Sequence, residues 1–145
     1  MGQRLDYREL LPDGMTAMLA MESFIHKQGL DAGILELVKT RVSQINRCAW
    51  CLDMHTKAAR ARGETEQRLY LLPAWREAEC FTEKERAALA WAEAVTLIPE
   101  NGVSDEVYAY ARKHFDEKEL VALNYAVIAI NGWNRLNVPF RTEIK

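Results

Sequence analysis

Glu36-Leu37-Val38-Lys39-Thr40-Arg41-Val42-Ser43-Gln44-Ile45-Asn46-Arg47-Cys48-Ala49-Trp50-Cys51-Leu52-Asp53-Met54-His55 is the stretch that decides the fold. Its first half continues an apolar stripe, Ile34, Leu37, Val38, Val42 and Ile45, at the spacing of one helix face, with Asp31 as the N-cap. Its second half opens another helix just after Asn46, a good N-cap, and that helix stops at Gly63, a good C′ residue. Outward from these two segments the same signals recur. The spacing predicts helices over 15–28, 31–45, from Asn46 to Gly63, over 66–72, 82–98, 104–115 and 116–137. Thr82 with Glu85, and Asp116 with Glu119, are capping boxes. No strand-like alternation, repeat or low-complexity tract interrupts them. The expected architecture is all-α, a bundle of about six to seven helices in a single domain over 1–145.

Composition is ordinary for a globular chain of 145 residues: 49% hydrophobic, 28% charged, net charge -2. Neither a nucleic-acid partner nor a polyanion is indicated. No apolar run is long enough to cross a bilayer, so no membrane partner is expected. The acid-bearing start, Met1 to Glu9, has no apolar leader core, and three cysteines do not suggest a disulfide scaffold. The expected compartment is the cytoplasm. Two helices hint at self-association. The one over 82–98 carries Ala87, Ala88, Ala90, Ala92 and Ala94, and the last is apolar almost all round from Leu120 to Ile130.

The chemistry concentrates at Cys48-x-x-Cys51 with His55 four residues on. Sulfurs three residues apart on a helix fit the roughly 4.4–6.8 Å Cα separation of a disulfide. On a helical wheel Cys48, Cys51, Leu52, His55, Ala58 and Ala59 share one side, opposite Asp53, Lys57 and Arg60, so the dithiol faces inward. Apolar burial raises a thiol's pKa, while the helix N-terminus and a basic imidazole lower the barrier to forming a thiolate. A redox or thiolate-nucleophile site therefore comes first. Plain packing of two buried cysteines is the bland alternative. Structural zinc wants four ligands, and there is no second C-x-x-C; Cys80, His114 and His26 stand at no ligand spacing. Haem attachment needs histidine where Leu52 stands.

These residues, with Ala58, Gly63 and the later Asn131-Gly132-Trp133-Asn134-Arg135, resemble the alkylhydroperoxidase D (AhpD) family of the carboxymuconolactone decarboxylase-like superfamily, over roughly 34–138. The motif is an acid twelve positions ahead of a C-x-x-C, then a histidine four further on. The resemblance implies a helical fold assembled as trimers or hexamers and a thiol peroxidase acting on organic hydroperoxides or hydrogen peroxide. It makes Cys51 the attacking thiolate and Cys48 the resolving, more accessible thiol. His55 and Glu36 become the proton relay, and the electron donor a thiol or a lipoyl-type dithiol. No cofactor or metal is implied. Trp50 stands where the best-known members carry a second histidine. Two alternatives stay open: a redox-sensing or metal-binding helical oligomer without turnover, and a decarboxylase-like enzyme of the same superfamily. Periodicity alone reads Glu36 as a solvated acid; the resemblance alone promotes it. Arg41, beside the apolar stripe, reads as half of a structural salt bridge.

Overall fold

The computed structural model describes residues 2–145, and among these the chain forms nine α-helices and no strand. They are α1 (Tyr7–Leu10), α2 (Pro12–His26), α3 (Ala32–Ile45), α4 (Ala49–Ala61), α5 (Glu66–Leu71), α6 (Glu83–Thr96), α7 (Ile98–Asn101), α8 (Asp105–His114) and α9 (Glu117–Phe140), with a 3₁₀ turn, Leu72–Ala74, after α5. All seven expected helices are present; α1 and α7, four residues each, are too short to carry a periodic signal. The caps hold as read. Asp31 Oδ1 accepts from the Ile34 amide at 2.9 Å, and Thr82–Glu85 and Asp116–Glu119 form reciprocal boxes. Gly63 takes φ +94° beyond α4.

Three boundaries differ from the sequence reading, each for a local reason. Helix α2 begins at Pro12, because proline suits the first helical turn, where no N–H partner is needed. Helix α9 passes Pro139 and ends at Phe140, where left-handed Arg141 lets the Arg141 and Thr142 amides cap the carbonyls of Val138 and Asn137. Asn46 is not the N-cap of α4. It stays in helical geometry at the end of α3, and left-handed Arg47 (φ 56°) reverses the chain. Cys48 then caps α4 with its own sulfur, which accepts from the Cys51 amide at 3.4 Å. The Asn46 side chain instead donates to Asn131 Oδ1 and Asn134 Oδ1 on α9, both at 2.9 Å. Two half-buried interhelix bonds outweigh one cap.

Helix α9 is the axis on which α2, α3, α4, α6 and α8 pack. Val38 and Val42 of α3, Ala88 and Ala92 of α6, and Leu123, Val127 and Ile130 of α9 meet in the main core together with both paired cysteines. The alanines of α6 are used here: Ala87, Ala88, Ala90 and Ala92 are buried inside this chain, so they no longer point to a subunit contact. The apolar girdle of α9 divides in two. Most of it is core, while Val121, Tyr125 and Ile128 form an exposed stripe.

Arg41 makes the structural pair its position suggests. Its Nε lies 2.8 Å from Glu93 Oε1, which also accepts from Trp75 Nε1 at 2.7 Å, while Arg76 reaches Glu93 Oε2 at 2.5 Å. Burial pushes the Glu93 carboxyl up, but these three donors outweigh it and hold the pKa below the ordinary value. Breaking a buried pair leaves an uncompensated charge, whereas an exposed partner adds little. Glu93→Ala should therefore cost roughly 3–5 kcal/mol of unfolding free energy in urea melts. Arg76→Ala, removing a side chain that is 64% exposed, should cost under about 1 kcal/mol.

Candidate active site

Cys48 and Cys51 are joined as a disulfide across Cα atoms 5.3 Å apart. Each is only 1% exposed, so Cys48 is not the more accessible of the two in this state. They open in different directions. Cys51 lines a cavity of about 400 Å³ enclosed by α1, α2, α3, α4 and α9. Cys48 lines a separate cleft of about 460 Å³ beside Arg47, Asn137 and the C-terminal residues. Trp50, between them in sequence, lines both spaces.

Helix α4 positions the next group. His55, one turn after Cys51, is buried on the same face and also lines the cavity. Its Nδ1 lies 3.0 Å from Glu36 Oε2, and the two side chains are 7% and 12% exposed. Glu36 is thus not a solvated acid. The polar face of α3 that carries it is turned onto α4, and that is why periodicity misread it. Burial raises the Glu36 carboxyl, but the His55 hydrogen bond and the charges of His55, Lys39 and Arg62 prevail, leaving its pKa below the ordinary value. Glu36 is therefore a carboxylate at neutral pH and anchors the imidazole through Nδ1. Nε2 remains as the ring nitrogen for proton transfer. The four residues singled out from sequence, Cys48, Cys51, His55 and Glu36, come together at one place.

Sequence reasoning missed a fifth. Asn137, 2% exposed, donates from Nδ2 to Cys51 Sγ at 3.6 Å and to the Trp133 carbonyl at 2.9 Å. Its Oδ1 accepts from the Tyr7 hydroxyl at 3.0 Å, which fixes the amide's orientation. The signal was there: Asn131, Asn134 and Asn137 are spaced by three along one stripe. Chemically, an N–H aimed at sulfur favours a thiolate over a thiol.

The remaining wall is mostly apolar and aromatic, with Met15, Leu19, Trp50, Met54 and Trp133, and adds the charged groups Glu22, Lys39 and Arg62. Cys80 is a free thiol elsewhere in the fold. No group of three or more His, Cys, Asp or Glu converges among the described residues in a way that would hold a metal. No helix among them is long and apolar enough to cross a membrane.

Residues 12–94 match the model of the carboxymuconolactone decarboxylase family. An uncharacterised Bacillus subtilis protein, YdfG, is 46% identical over 138 residues, covering 95% of this chain and 94% of its own length. A crystal structure of a protein of unknown function from Agrobacterium tumefaciens, assigned provisionally to antioxidant defence as AhpD, superposes with a TM-score of 0.96 at 40% identity, covering 99% of both chains. The debrominase Bmp8 shares the fold at a TM-score of 0.82 and 18% identity, over 92% of this chain and 72% of its own. Geometry, family model and relatives agree: this chain is an AhpD-like member of the carboxymuconolactone decarboxylase family.

Proposed function

We infer that the protein is a thiol-dependent peroxidase in which Cys51 is the nucleophile. The observation that carries this reading is the convergence on Cys51 of a cavity, a carboxylate-anchored imidazole and an amide donor. In the reduced enzyme His55 takes the Cys51 proton, directly or through water. The thiolate attacks the distal oxygen of a hydroperoxide, forming an S–O bond as the O–O bond breaks. The departing alkoxide takes the proton from His55 and leaves as an alcohol. Cys48 then attacks the sulfenic sulfur, expelling hydroxide, which leaves as water, and the disulfide seen here forms. An external thiol or lipoyl-type dithiol returns the two electrons by exchange. No metal or organic cofactor is required for this cycle.

The cycle is tested by steady-state reduction of a small alkyl hydroperoxide with dithiothreitol as donor. Wild type should turn over many equivalents, Cys51→Ser should be inactive, and His55→Ala should fall by about a hundredfold or more. Asn137→Ala should raise the Cys51 pKa in the reduced protein, read from thiolate absorbance against pH. Consumption of a single equivalent by wild type would make the dithiol a sensor.

The ionised Glu36 gives a second test, on stability. Its folded-state pKa lies below the ordinary value of 4.5, so its stabilisation is present above about pH 4.5 and is lost as pH falls through the lower folded value. Glu36→Gln should therefore be less stable than wild type at pH 7, with the deficit closing as pH falls below 4.5. An undiminished deficit under acid conditions would remove the ionised Glu36–His55 pair from the account.

We further infer that the chain works as a homo-oligomer, a trimer or hexamer. Support comes from the exposed stripe Val121, Tyr125 and Ile128 on α9, beside Phe24, whose ring meets Tyr125 edge-on at 5.3 Å. Sedimentation of wild type and Ile128→Glu should show the assembly and its loss.

A further inference from the structure

Of the charged groups that line the cavity and that the peroxidase cycle does not use, Lys39 is the most deeply enclosed. Lys39 sits one turn beyond Glu36 on the same face of α3 and lines the cavity. Its side chain is only 6% exposed. A lysine so deeply enclosed needs its charge matched and its donors filled. Its charge is faced by two carboxylates, Glu22 as its ion-pair partner and Glu36 one turn back on α3. Glu22 Oε2 on α2 stands 3.5 Å away, and that carboxylate is shared: Oε1 accepts from Trp133 Nε1 at 3.0 Å, and His26 lies 4.0 Å from Oε2. An ammonium carries three donors, and Glu22, at 3.5 Å, is the one ion-pair partner of Lys39 Nζ among the described residues. The guanidinium of Arg62 lines the same cavity without an ion-pair partner among them. Around these groups the wall is Met15, Leu19, Trp50, Met54 and Trp133. The space is therefore walled largely by apolar and aromatic side chains, with Cys51 and the Lys39 ammonium both opening onto it.

We propose that Lys39 is the specificity-determining residue of this cavity, binding the carboxylate of an apolar organic acid whose hydroperoxide group reaches Cys51. The substrate class is then a carboxylic-acid hydroperoxide with a hydrocarbon body, and neither hydrogen peroxide nor a neutral alkyl hydroperoxide is the preferred one. The carboxylate pairs with the Lys39 ammonium in a site shielded from water, where charge-assisted bonds are strong. The hydrocarbon covers the Met and Trp wall. This rests on the peroxidase reading only for the reacting end; the binding of the acid end stands without it.

The experiment has two arms on the intact protein at neutral pH, where the acid is ionised. In the first, kcat/KM is measured for a medium-chain carboxylic-acid hydroperoxide and for its methyl ester. Wild type should favour the acid by about tenfold or more, and Lys39→Met should bring the ratio to near one. Glu22→Gln, which keeps the cation and removes its competitor, should raise the ratio, and it serves in place of Lys39→Met should that variant fail to fold. In the second arm, binding of decanoic acid and of decanol is followed by tryptophan fluorescence, since Trp50 and Trp133 line the cavity. Tighter binding of the acid in wild type, lost in Lys39→Met, supports the anchor even if no peroxide is consumed, a result that would fault the peroxidase reading alone. Equal handling of acid and ester with equal binding of acid and alcohol, or ratios unmoved by either substitution, overturns the proposal and leaves Lys39 a structural ion pair.

Discussion

The site depends on a ladder of buried and half-buried asparagines that ties the corner between α3 and α4 to α9. Asn46 donates to Asn131 and Asn134, Asn134 donates to Ser43 Oγ at 3.1 Å, and Asn131 donates to Thr96 Oγ1 at 3.1 Å. Asn137 extends the ladder to Cys51. Buried amides are tolerated only when their bonds are made, and no buried side-chain N or O atom among the described residues lacks a partner. The corner therefore has one well-defined geometry, and the sulfurs it carries are held where His55 and Glu36 meet them. A dithiol on a loose loop would sample many arrangements; here one cysteine caps a helix and the other is fixed by an amide on a neighbouring helix.

How much of this is legible without coordinates depends on the range of the interaction. Helices and caps are decided within a few residues, so Asp31, Thr82–Glu85 and Asp116–Glu119 could be read directly. The inward face of the dithiol follows from the wheel of α4. Positions decided by a distant partner could not be read that way. Asn46 has the composition of an N-cap but is claimed by two asparagines more than eighty residues away. Glu36 lies on the polar side of its own helix, and only the approach of α4 encloses it. Lys39 was silent for the same reason. A lysine beside an apolar stripe ordinarily extends its head to water, and nothing local reveals that Glu22 of α2 meets it, held in turn by Trp133.

The fold alone leaves the chemistry open. A debrominase uses the same helical frame, so catalysis has to be argued from side chains. In this chain Trp50 lines both the space that holds Cys51 and the space that holds Cys48. Because Trp50 carries no proton-transfer group, the peroxidase reading assigns proton movement at Cys51 to His55, whose Nδ1 meets Glu36. In the peroxidase reading, the two spaces give oxidant and reductant separate approaches, the cavity to Cys51 and the C-terminal cleft to Cys48.

Burial sets a difficulty that the corner resolves. An apolar surrounding opposes ionisation of either thiol. For Cys48 the compensation comes from backbone: as N-cap of α4 its sulfur faces the Cys51 amide and the positive end of the helix. For Cys51 it comes from side chains, Asn137 and the imidazole of His55. In the peroxidase reading the two compensations serve different steps. A thiolate-prone Cys48 resolves the sulfenic acid quickly, because attack depends on the thiolate fraction. When an external thiol attacks Cys48 in the disulfide, Cys51 is the leaving group, and a leaving thiol departs faster as its pKa falls. On that reading the amide and imidazole that favour a Cys51 thiolate toward peroxide also favour its departure in reduction, so one set of contacts on α4 and α9 would serve both halves of the cycle.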